Sequence, residues 1–82
     1  MRLMEAVYRR DFIIWLRFAD GTEGEIDLES DLWGEVFTPL RDVNVFMSAR
    51  LHPELHTIAW ENGADFAPEF LYQKVSAGAV NN

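Results

Sequence analysis

The sequence contains no cysteine, which removes disulfides, thiolate nucleophiles and cysteine-based zinc sites together. It is also short of positive charge, with seven basic residues against fourteen acids in 82 and a formal net charge of −7. A domain that grips nucleic acid needs clustered lysine and arginine to displace phosphate counterions. Adsorption to an anionic membrane surface needs the same clusters. Direct nucleic-acid and membrane-surface binding are therefore set aside, and a basic protein partner fits the charge better. Long apolar runs are missing as well. DFIIWLRF is too short to span a bilayer, and MRLMEAVYRR lacks the apolar centre of a signal peptide. A cytoplasmic location is the expectation.

What is present is apolar density. Hydrophobic residues make up 49% of the chain and aromatic residues 13%, including three Trp and six Phe. That composition supports a compact core and is too apolar for a disordered chain. The length allows one domain, expected over about residues 1–75, followed by a small, polar tail at 76–82 that is expected to fray.

The clearest local signal is DFIIWLRFADGTEGEIDL, two β-rich runs around Asp20-Gly21. A two-residue loop would put Glu23, Glu25 and Asp27 on the same face as Ile14, Leu16 and Phe18, burying three carboxylates. A three-residue loop, Ala19-Asp20-Gly21, shifts the pairing by one step. Phe18 then faces Thr22, Leu16 faces Gly24, Ile14 faces Ile26 and Phe12 faces Leu28. Arg17, Trp15 and Ile13 lie on the other face, opposite Glu23, Glu25 and Asp27. Because a one-residue slip flips every side chain, this pattern selects a bulged hairpin over about 12–28, with Gly21 at a positive-φ position.

Upstream, RLMEAVYR predicts a preceding strand with either Leu3 and Val7 or Met4 and Tyr8 turned inward. Ser30 is placed to cap a single turn that carries Leu32 and Trp33 and ends at Gly34. Asp42 reads as the N-cap of a short helix over about 43–48, with Val43, Phe46 and Met47 on one face. ARLHPELHTIAW reads as two short strands around Pro53-Glu54. A final helix over about 68–74 begins with Pro68 at its first position. Asn62-Gly63 is a turn pair. Asp65, three residues ahead of Pro68, is expected to cap that helix rather than to bind a ligand. The fold class is therefore α+β, an antiparallel sheet with short helices.

The chemistry-bearing residue types are sparse. His52 and His56 are four apart, a spacing that aims both rings together only on a helix, and Pro53 argues for a turn instead. No third metal ligand is evident from the spacing. No hydroxyl sits in a nucleophile elbow and no glycine-rich phosphate loop follows a strand. The expectation is a non-enzymatic protein without a cofactor. Seven acids, from Asp20 to Glu35, fall in a stretch with no base between Arg17 and Arg41. On a strand, Glu23, Glu25 and Asp27 share one face with Cβ atoms roughly 7 Å apart. With Ile13 and Trp15 beside them they form the candidate docking surface for a basic partner, Trp15 acting as the anchor. A metal- or ligand-binding domain using His52, His56 or Asp65, and a homodimer built through a sheet edge, are the alternatives.

FADGTEGEIDLE, VFTPLRD and WENGADFAPEFLY, taken in order, resemble the bacterial domain-of-unknown-function 2442 family. The resemblance runs from about Leu3 to Tyr72. It implies a small α+β fold with an antiparallel sheet and short helices, and it brings no activity and no catalytic residues. Some members of that family resemble the antitoxin-like half of toxin–antitoxin units. In others the domain precedes a helix-turn-helix, for which these 82 residues have no room.

Overall fold

The structure is a computed structural model that describes residues 1–78. Three strands, β1 (Leu3–Arg10), β2 (Ile13–Phe18) and β3 (Glu23–Asp27), form an antiparallel meander in the order β1-β2-β3. The β2–β3 register pairs Ile13 with Asp27, Ile14 with Ile26, Trp15 with Glu25, Leu16 with Gly24 and Arg17 with Glu23. This is the three-residue-loop register. Phe18 N–H donates to the Thr22 carbonyl at 2.8 Å, Gly21 N–H donates back to Phe18 at 2.9 Å, and Gly21 has φ +91°. Leu28 N–H continues the pairing onto the Phe12 carbonyl.

In β1 neither expected inward pair holds. Register irregularities between Leu3 and Glu5, and between Tyr8 and Arg10, each insert an extra residue opposite β2. The first switches the parity of the strand, so Leu3, Ala6 and Tyr8 turn inward while Met4 and Val7 are exposed.

After β3 the chain makes a 3-10 turn over Glu29–Asp31. Its cap is not Ser30, which lies inside the turn; the Asp27 carboxylate accepts the Glu29 N–H at 2.9 Å instead. A second 3-10 turn, Thr38–Arg41, leads to α1 (Val43–Phe46), at whose start the Asp42 carboxylate accepts the Asn44 N–H. Of its expected inward face only Phe46 is buried, because a single turn can present one residue to the core; Val43 and Met47 are exposed. Then β4 (Arg50–Leu51) pairs antiparallel with β5 (Ile58–Ala59) as a separate two-stranded sheet. The turn between them is joined to β1 by Leu3 N–H donating to the His56 carbonyl.

The chain closes with α2 (Pro68–Ser76), two residues longer than the sequence pattern suggested. The tail expected at 76–82 therefore starts inside a helix, and residues 79–82 lie outside those described. The helix lies over β3, with Val75 Cγ1 only 3.3 Å from where a Gly24 Cβ would stand. The fold is α+β, its core shared by both sheets and both helices. Among the described residues no helix is long and apolar enough to cross a membrane.

One buried polar side chain ties the second sheet to the segment before α2. Thr57, 2% exposed, donates its Oγ1–H to the Phe66 carbonyl at 2.6 Å. Thr57→Val keeps the volume and removes that donor, so chemical denaturation should report a loss of about 1–3 kcal/mol, the cost of a buried polar group left unpaired. An unchanged midpoint would show that this carbonyl does not depend on Thr57.

Candidate functional site

The outer face of the meander does not present the surface expected from the sequence. Ile13 is buried, at 9% exposure, and Trp15 is half-buried. The cause is on β1. Arg9 and Arg10 both reach Glu25 on β3, at 3.5 and 3.7 Å. Since β2 lies between those strands, both arginines span it to reach Glu25, and the Arg9 guanidinium stands 5.7 Å from the Trp15 ring centroid. Arg17, opposite Glu23 in the register, instead pairs with Glu5 at 2.8 Å. Asp27 is engaged by the Glu29 amide. Of the five residues singled out there, only Glu23 is exposed. The face neutralises and covers itself.

Asp65 does not cap α2. The residue before Pro68, Ala67, is the N-cap, and no side chain accepts a hydrogen bond there. Asp65 forms an isolated antiparallel bridge with Ala59. In that extended stretch Ala64 and Phe66 are buried and Asp65 is exposed, so strand alternation turns its carboxylate to solvent. Pro68 at the helix start has no N–H to satisfy, which eases the absence of a cap. Upstream, the Asn62 Oδ1 accepts Ala64 N–H, its Nδ2 donates to the Val36 carbonyl, and Gly63 has φ +93°. The turn pair thereby holds the loop before the second 3-10 turn against the closing segment.

The two histidines are committed to a turn. His52 Nδ1 accepts the Glu54 and Leu55 amides, both at 3.1 Å, and His56 takes φ +56° with its N–H on the His52 carbonyl. Among the described residues no group of three His, Asp or Glu side chains converges as a metal-ion site would require.

A different surface emerges where the loop 31–37 meets the closing segment. Phe37, Phe66 and Phe70 form a continuous stack, with centroids 4.7 and 5.4 Å apart and interplanar angles of 28° and 16°. Together with Trp33 and Asp31 they line an open cleft of about 260 Å³. Trp33 is 73% exposed. Behind the stack, Trp60 meets Phe66 edge-on and fixes its own indole by donating Nε1–H to the Phe46 carbonyl at 3.0 Å. The polar wall is Asp31. Lys74 Nζ lies 3.0 Å from its Oδ2, and both side chains are largely covered, at 23% and 21% exposure. The contact is one of charge, since that buried oxygen has no aligned hydrogen-bond donor. Lys74 also stands 5.7 Å from the Phe70 ring.

Nothing in the local pattern announces this cleft, because its walls come from segments some thirty positions apart and neither has a clear period. The available signal was composition: Trp33 and Phe37 fall in a stretch of polar and turn-forming residues, where large aromatics are unusual.

The middle of α2 is fixed by a hydrogen-bonded group at the hairpin turn. Tyr72 O–H donates to Asp20 Oδ2 at 2.6 Å and lies 3.1 Å from Thr22 Oγ1, while Asp20 Oδ1 accepts the Thr22 N–H. The Tyr72 hydrogen bond first, then those of Thr22, hold the Asp20 carboxyl below its ordinary value.

These features define a class: a small α+β domain with a packed core and one aromatic cleft beside an ion pair. Residues 3–77 match the family model described as protein of unknown function (DUF2442), and the chain belongs to that family. No curated protein and no solved structure matches it.

Two outcomes follow from this geometry. Phe66→Ala should cost about 3–5 kcal/mol, as for other buried aromatics, whereas Trp33→Ala should stay within about 0.5 kcal/mol; equal losses in denaturant titrations would contradict the division between wall and rim. Asp20 has a depressed folded-state pKa, so its contribution is present above the unfolded value and is lost as pH falls through the folded one. Below about pH 4 wild-type stability should therefore fall more steeply than that of Tyr72→Phe. Parallel acid profiles for the two proteins would remove the Tyr72–Asp20 bond as the cause.

Proposed function

We propose that this protein is a non-enzymatic binding module whose partner is a basic protein. The observation that carries the reading is where its charges remain unmatched. Arg9, Arg10, Arg17, Arg50 and Lys74 are all in ion pairs with the chain's own acids. Arg41 donates to the Leu32 carbonyl. Fourteen acids against seven bases leave a surplus of carboxylates, and Glu35 and Glu69 of that surplus are exposed on the segments that build the cleft. Acidic rims of this kind steer oppositely charged partners, and an exposed tryptophan supplies an anchor. An antitoxin-like pairing, a small acidic chain neutralising a small basic one, is the form of this reading that the family resemblance implies. It rests on analogy.

The test is capture from the source cell's lysate with two baits, wild type and Glu35→Lys/Glu69→Lys. A small basic protein retained by the first bait, lost from the second and released by salt, is the expected result. Retention indifferent to both charge reversal and salt would refute a basic partner held by these carboxylates.

A further inference from the structure

We infer that the Trp33–Phe37–Phe66–Phe70 cleft receives one large, flat apolar side chain from a basic segment of the partner. The inference rests on the binding-module reading and assigns its site. Three properties of the cleft converge on that occupant.

Size and chemistry come first. The cleft of about 260 Å³ is walled by four aromatic side chains. An apolar cavity of about 150 Å³ holds a benzene ring, so the space here suits one ring system of a side chain and not a folded element. The Phe37–Phe66–Phe70 stack offers ring edges and an outer ring face, against which a further aromatic ring gains offset or edge-on contact.

The second property is the state of the walls. Phe66 is buried among Trp60, Phe37 and Phe70, so the floor is held by the core and is formed before anything binds. Trp33 is different: at 73% exposure it stands at the rim with little to hold it. A preformed floor with one large free ring beside it is the arrangement in which an anchor side chain becomes enclosed on binding.

The third is charge, which selects among occupants. The segments 31–37 and 66–70, whose side chains line the cleft, contain Asp31, Glu35 and Glu69 and no basic residue. Lys74, which stands beside the Phe70 ring, is engaged with Asp31, and Arg41 donates to the Leu32 carbonyl. A second copy of this chain would bring the same acidic walls and its own net charge of −7 to the contact, so self-association through this face is opposed by like charge. An acidic segment is opposed for the same reason. A segment with lysine or arginine flanking an aromatic residue satisfies both the apolar floor and the rim.

The experiment uses the full chain labelled with nitrogen-15, whose three indole N–H signals belong to Trp15, Trp33 and Trp60. Three unlabelled pentapeptides serve as probes: a tryptophan flanked by two lysines on each side, the same peptide with alanine at the centre, and the tryptophan flanked by glutamates. The lysine–tryptophan peptide should shift the Trp33 indole signal and leave Trp15, on the far sheet face, unmoved. Both comparison peptides should bind at least about tenfold more weakly, a difference of about 1.4 kcal/mol. An unmoved Trp33 signal, or equal responses to all three peptides, would overturn the inference. A response at Trp15 instead would overturn the cleft as the site and leave a basic partner standing. Capture of a basic protein that is sensitive to charge reversal and unaffected by Trp33→Ala would have the same consequence.

Discussion

The constraint on which the structure depends is the length of one turn. With Ala19, Asp20 and Gly21 as the loop, Phe18 pairs with Thr22, and Ile14, Leu16, Phe18, Ile26 and Leu28 all enter the core. Shortening the loop by one residue would exchange them, on β3, for Glu23, Glu25 and Asp27, at several kcal/mol for each buried carboxylate. The turn also determines where α2 lies. Gly24 faces inward opposite Leu16, and its missing side chain lets Val75 close on the sheet. Tyr72 then reaches the turn itself through Asp20 and Thr22. Asp20 thus belongs both to the turn that sets the parity and to the contacts that place α2.

From that sheet an aromatic path runs to the opposite side of the molecule. Tyr8 and Phe12 contact Phe46, Phe46 contacts Trp60, Trp60 contacts Phe66, and Phe66 is stacked between Phe37 and Phe70. Each contact adds about 1 kcal/mol beyond area burial in comparable pairs, and the geometry of one ring restricts the next. The cleft is therefore the exposed end of the core. Its floor has the rigidity of the interior while its rim has the freedom of the surface, which is why the two respond differently to truncation.

How much of this was legible in the sequence follows from which forces are local. The hairpin register was legible, because alternation and turn length are both written within eighteen residues. The positions of the two helices were legible from Asp42 and Pro68, residues whose backbone effects act on their immediate neighbours. The parity of β1 was not, since a bulge adds a residue without a signal in the hydrophobic pattern. Asp65 was misread for a related reason: its bridge to Ala59 is a tertiary pairing, and the alternation it imposes turns the carboxylate away from the helix. The outer sheet face was misread because two arginines from β1 cross it to Glu25. A strand-by-strand pattern contains the arginines but not their reach.

That crossing bears directly on where a partner can act. Long side chains that bridge three strands give Glu25 two cations and cover the apolar residues beneath, so a docking protein would have to displace contacts the fold already makes. Exposed ion pairs are individually weak, in the range of about 0–1 kcal/mol, yet replacing several at once while uncovering Ile13 leaves little net gain. At the cleft the balance differs. Its floor is already apolar and open, Lys74 is engaged with Asp31, and Glu35 and Glu69 are exposed. On the proposed reading, a cationic partner would gain charge contact there with Glu35 and Glu69, and a ring it inserted would meet the already formed aromatic floor. Net charge alone does not locate a binding surface. On the proposed reading, the site is set by the difference between acids whose charge the fold has matched and acids whose charge it has left open.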